Sequence, residues 1–172
     1  MSLRFEISAE DAKKARIPHE IFLTNLIFNH ILVFVAIISA SSLAKYAVIV
    51  PIISILLMGT IIIGAQRARK NASWYVKGHW QICARRNRMF MIMLGTVGLI
   101  FGAVFAMAGG DMGPQQWAVG GPLLLFGMFT VLALVIMESD ALYQASQGKL
   151  PKWIMERYPE GALEPLEQEP AH

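Results

Sequence analysis

The sequence is poor in charge and in sulfhydryl groups: Asp, Glu, Lys and Arg make up 16% of its 172 residues, and Cys83 is the single cysteine. A soluble domain carries about 25% charged residues, so the deficit argues against an ordinary water-soluble globule. One cysteine excludes a disulfide scaffold. With 55% hydrophobic residues and a mean hydropathy of +0.49, a disordered chain is excluded as well. Other signatures are missing too. There is no cysteine pair for thiol exchange, no phosphate-cradling loop ending in Gly-Lys-Ser/Thr, no nucleophile elbow, and no repeat of 20 to 50 residues.

What the sequence does have is four long apolar windows, at 22–43, 46–65, 89–109 and 117–137. None of its Asp, Glu, Lys or Arg residues falls inside them. Each window is long enough to cross a hydrocarbon core that takes about 20 apolar residues, and each is continuous rather than alternating. The expected fold is therefore an all-α integral membrane protein with four transmembrane helices arranged as two antiparallel hairpins. The first window starts too late and runs too long for a cleavable signal peptide.

Cation placement gives an orientation. Fourteen of the fifteen Lys and Arg residues lie in the N-terminal segment, in residues 66–88 or after residue 137. Lys45 alone lies in one of the two other connections. By the positive-inside bias both termini and the central connection face the cytoplasm of an inner (plasma) membrane. The sequence then divides into a cytoplasmic N-terminal segment with a short helix (1–21), a first hairpin (22–65), a basic amphipathic interfacial connection (66–88), a second hairpin (89–137), a cytoplasmic helical extension (138–158) and a disordered tail (159–172).

Local signals refine that division. Ser8 followed by Asp11 reads as a capping box, and Pro18 is expected to end that first helix and start the next. On a helical wheel of residues 71–88, Lys77, Gln81, Arg85 and Arg88 fall on one side, with Tyr75, Val76, His79, Ile82 and Cys83 opposite. Gly98, Gly102 and Ala106 form a small-residue row expected to pack against another span of the same chain.

Chemistry inside the windows is confined to His30, flanked by Asn25 and Asn29. His30 lies roughly 13 Å below the cytoplasmic boundary, where a polar group must face the bundle interior. An interhelical hydrogen bond, to Thr60 or Thr96, is weighed against a solute path. No Asp or Glu stands in a window, which argues against ion-coupled transport. A bis-histidine haem site would need a second intramembrane histidine. At the cytoplasmic boundary His19, Glu20, His79, Cys83, Glu138 and Asp140 can converge and would offer zinc ligands. Pairing of Glu138 and Asp140 with Arg67, Arg69 or Arg85 explains them equally well, so neither a metal nor a cofactor is assigned.

The basic rim formed by Arg67, Arg69, Lys70, Lys77, His79, Arg85, Arg86 and Arg88 suits anionic lipid or a protein partner. Nucleic acid is disfavoured, because cations and aromatic residues beside a span are what membrane insertion selects. The expected function is a non-catalytic subunit or assembly partner of a membrane complex, or a self-associating protein. Two alternatives remain: a channel or carrier using His30, and a membrane enzyme acting on a lipid-soluble substrate at the cytoplasmic edge.

Overall fold

The computed structural model describes residues 2–39, 46, 49–110 and 113–166. Its order is β1 (Ser2–Arg4), α1 (Ala9–Thr24), a π-helical segment (Asn25–Val33), α2 (Phe34–Ser39), α3 (Ile49–Asn71), α4 (Trp74–Met107), α5 (Pro114–Ser146), β2 (Lys149–Pro151) and α6 (Lys152–Arg157). The protein is thus mainly helical, and α3, α4 and α5 are each long and apolar enough to cross a membrane. The window at 22–43 is carried by the end of α1, the π segment and α2. Residues 40–43 lie outside the described residues. So do the two-residue connection at 44–45, part of the turn after α4 and the end of the tail from 167 onward.

Ser8 caps α1, its hydroxyl accepting from the Asp11 backbone N–H at 3.0 Å. The expected break at Pro18 does not occur; α1 runs through it from Ala9 to Thr24. A proline inside a helix costs about 3 kcal/mol by removing a hydrogen bond and crowding the preceding turn. Burial of Ala15, Pro18, His19 and Phe22 along one face holds both halves in line despite that cost. In the π segment the wider i→i+5 turn gathers residues four and five apart, and Asn25, Leu26, Asn29 and His30 continue the buried face.

At 34 residues, α4 is about 50 Å long, well beyond a hydrocarbon core of about 30 Å. Its two halves differ accordingly. Residues from Trp74 to Asn87 are buried on most sides, whereas the apolar stretch beyond Arg88 is only 6% buried. The amphipathic connection is therefore the first half of α4, packed among α1, α3 and α5. Gln81 departs from the wheel for the same reason: it is buried, donating to the Ala65 carbonyl at 2.9 Å and accepting from Arg69.

Two apolar cores result. One joins Phe22, Leu26, Met58, Ile61, Cys83 and Phe90 with Val131 and Leu134. The other packs Phe5, Trp74, Tyr75, Leu150 and Ile154 into a cap built on the antiparallel pair β1–β2, with Leu3 opposite Leu150. Gly148 makes that pair possible. Its φ is +69°, and a Cβ there would sit 2.5 Å from the Phe5 carbonyl oxygen, which accepts no such neighbour. Outside both cores, Ile92, Leu99, Met107, Phe129 and Ile136 point outward, a surface suited to hydrocarbon rather than water.

Among the described residues, the Gly98, Gly102 and Ala106 row has no helix packed on it. All three are exposed, and a Cβ added at either glycine would meet nothing within 4 Å. Gly64 is the glycine that brings two helices together, since a Cβ there would lie 2.1 Å from the Trp80 ring. Gly148→Ala should lower the thermal unfolding temperature in detergent, at a cost of roughly 1–3 kcal/mol. Gly95→Ala, where the new Cβ meets open space, should leave that temperature unchanged or slightly raised.

Candidate functional site

The densest chemistry lies where α1, α4 and α5 meet. On α1, His19 sits one turn from Ala15 and Phe22 on the buried face. On α4, His79, Cys83 and Arg86 follow at intervals of four and three, which places them along one side of the helix. On α5, Glu138 belongs to an inward stripe with Val131, Leu134, Ala141 and Ala145. His19, His79, Cys83 and Glu138 are each 0% exposed.

Their hydrogen bonds form a line. His19 Nδ1 lies 2.5 Å from Glu138 Oε2, His19 Nε2 lies 3.0 Å from His79 Nδ1, and His79 Nε2 lies 3.2 Å from the Lys149 carbonyl oxygen. Arg86 Nη1 donates to the other Glu138 oxygen at 3.0 Å and to the Met137 carbonyl at 2.9 Å. The Cys83 thiol donates to the Pro18 carbonyl at 3.2 Å. Tyr75 presents its ring edge-on to His79, with centroids 4.9 Å apart, and its hydroxyl donates to the Ala145 carbonyl.

A carbonyl only accepts, so His79 must donate through Nε2 and accept through Nδ1. His19 must then donate through Nε2. The gap between His19 Nδ1 and Glu138 therefore needs a third hydrogen, one more than two neutral imidazoles and a carboxylate supply.

Burial acts on the flanking groups in opposite senses. Burial first, and then the neighbouring His19, holds the His79 imidazole well below the usual histidine range. Burial first, and then the Glu138 carboxylate, pushes the Cys83 thiol well above the usual cysteine range. Cys83 is therefore a protonated, inert thiol unless something else takes its proton.

A second polar layer lies further along the same face of α1. Asn25 Nδ2 donates to Ser54 Oγ at 3.0 Å, His30 Nε2 lies 2.8 Å from the same oxygen, and Asn29 donates both to Asn25 Oδ1 and to the Val50 carbonyl. His30 thus meets Ser54 on α3, whereas Thr60 turns back to the Leu57 carbonyl. Asn29 Oδ1 has no partner among the described residues.

Of the boundary residues read from the sequence, His19, His79, Cys83 and Glu138 come together, while Glu20 and Asp140 are exposed and bond to Arg16 and Gln144. Glu138 takes Arg86 as its partner, not Arg67, Arg69 or Arg85. Arg85 instead lies over the Trp153 ring, 5.3 Å from its centroid. Arg69 and Arg88 line a half-open groove of about 240 Å³ between α3 and α4, with Gln66 and Gln81. Ser54 and Asn87 are buried polar residues that the sequence reading passed over. Each could have been found by continuing the helical wheel of a span into its small or amide residues.

Glu138→Ala removes the carboxylate that Arg86 and His19 share and should cost roughly 3–5 kcal/mol in detergent unfolding. Asp140→Ala, on an exposed face, should stay within about 0.5 kcal/mol of the wild type. The Cys83 thiol should resist a membrane-permeant maleimide in the folded protein and react once the protein is denatured.

Compared with protein-family models, with curated proteins and with solved structures, the chain matches none.

Proposed function

We propose that this chain is a four-span protein of an inner (plasma) membrane, with both termini cytoplasmic, which serves as a non-catalytic subunit or assembly partner of a membrane complex. Parity supports the span count. β1 and β2 are hydrogen-bonded to each other, so the chain between them crosses the membrane an even number of times. α3, α4 and α5 are three candidate crossings, and the helical run through Asn25–Val33 and Phe34–Ser39 supplies the fourth. The distribution of Lys and Arg supports a cytoplasmic position for the cap that holds β1, β2 and the first half of α4.

The observation that carries the functional reading is the open row of Gly98, Gly102 and Ala106 on the nearly unpacked half of α4. Lipid tails pack as well against large apolar side chains. Small residues at this spacing are what allow a second helix backbone to come close, and close approach drives helix association in a bilayer. The occupant that fits is a transmembrane helix of a partner subunit. Arg69 and Arg88, at the groove between α3 and α4, suit anionic lipid headgroups.

Purification from native membranes should yield a stoichiometric membrane-protein partner, and Gly98→Leu with Gly102→Leu should release it while the chain remains monodisperse. A wild type that carries only lipid defeats the reading, and a dimer of this chain alone replaces the partner with a second copy. Topology is checked separately. Reporter fusions at residues 45 and 113 should read outside, and those at 75 and 165 inside; an outside signal at 75 removes the orientation.

A further inference from the structure

The geometry points to a zinc-class divalent metal site in the cytoplasmic cap, with His19, Cys83 and Glu138 as ligands and His79 behind His19 as the group that orients it. The ligand atoms of His19, Cys83 and Glu138 all lie within 4.8 Å of one another, and the three residues come from α1, α4 and α5. Imidazole nitrogen, thiolate sulfur and carboxylate oxygen are the donors that zinc takes, at bond lengths of about 2.0–2.3 Å. Three protein ligands leave one position of a tetrahedron for water or a further ligand. The donor set disfavours magnesium and calcium, which take oxygen alone.

The surrounding bonds are those of a metal centre. With the ion on His19 Nδ1, the Nε2–H of His19 donates to His79 Nδ1, and His79 donates in turn to the Lys149 carbonyl. A ligating histidine whose second nitrogen is fixed in this way has one tautomer and one ring orientation. Glu138 offers Oε2 to the ion and keeps Oε1 on Arg86. The ion occupies the gap that otherwise needs the third hydrogen, and the 2.5 Å separation of His19 and Glu138 opens by roughly 1 Å to admit it.

Binding forms bonds to His19 Nδ1, Cys83 Sγ and Glu138 Oε2 and releases the Cys83 thiol proton, together with any hydrogen held between His19 and Glu138, to solvent, so the ligands offset the charge of the entering divalent cation. Proton release is the general accompaniment of metal binding to thiol and imidazole ligands. Nothing in this inference depends on the partner-subunit reading, and either can fail alone.

The test uses the full chain in detergent, stripped with a chelator, reloaded with Zn²⁺ or Co²⁺ and desalted. The wild type should retain about one metal per chain, and the Co²⁺ form should show intense four-coordinate d–d bands with a near-ultraviolet thiolate charge-transfer band. Cys83→Ser keeps a hydroxyl donor for the Pro18 carbonyl and so keeps the fold. It should lose the charge-transfer band and bind more than about tenfold more weakly. Asp140→Asn should match the wild type. A wild type that desalts free of metal overturns the inference, and so does a Cys83→Ser spectrum identical to that of the wild type. If Cys83→Ser does not fold, the wild-type cobalt spectrum decides alone, because its thiolate band can come only from Cys83.

Discussion

The contact between His19 and Glu138, completed by Arg86, is the constraint on which the cap depends. It joins the first and last long helices, 119 residues apart in sequence, through side chains fully removed from solvent. A carboxylate without partners cannot be held in such a place, because desolvation costs several kcal/mol before any attraction is counted. The packing of α1 on α4 and α5 must therefore keep all three groups together or keep none. That requirement explains why α1 continues through Pro18: a break there would turn His19 away from Glu138 and leave a buried carboxylate oxygen without its partner.

The same helix is fixed a second time, where Asn25, Asn29 and His30 meet Ser54 and Val50 on α3. Two polar layers on one face, with Phe22 between them, fix the rotation of this helical run against its neighbours. The i→i+5 turn between Asn25 and Val33 reconciles them, since it brings Asn25, Asn29 and His30 to one side while α1 stays in register with His19. The Asn29 side-chain oxygen, without a partner among the described residues, marks a cost of that compromise.

Much of this was legible in the sequence, and what was not has physical causes. The windows stand out because hydrocarbon excludes charge over whole turns, so no tertiary information is needed. The shared face of His79 and Cys83 is a matter of four-residue spacing, and so is the inward position of Glu138 in its stripe. That His19 meets them depends on which helix packs against which, and periodicity is silent on pairing. Pro18 misled because local propensity is a few kcal/mol and tertiary packing outweighs it. Gln81 misled because a wheel treats every polar residue as solvent-facing, whereas an amide can be buried once a carbonyl such as that of Ala65 and a donor such as Arg69 satisfy it. The Gly98 row, expected to pack against another span of the chain, faces outward instead, since spacing states what a surface permits and not what covers it.

The two halves of the molecule therefore obey different rules. Beyond Arg88, the exposed apolar side chains of α4 and α5 are in a solvent that favours them, and helix association there rests on shape. In the cap, buried polarity is tolerated only where every donor finds an acceptor, and the His79–His19–Glu138 line falls one hydrogen short of that condition. A sealed site can meet the shortfall with a proton or with a cation. The thiol of Cys83 next to that gap is what separates the two: a proton leaves the sulfur a bystander held on the Pro18 carbonyl, whereas a divalent ion makes use of it.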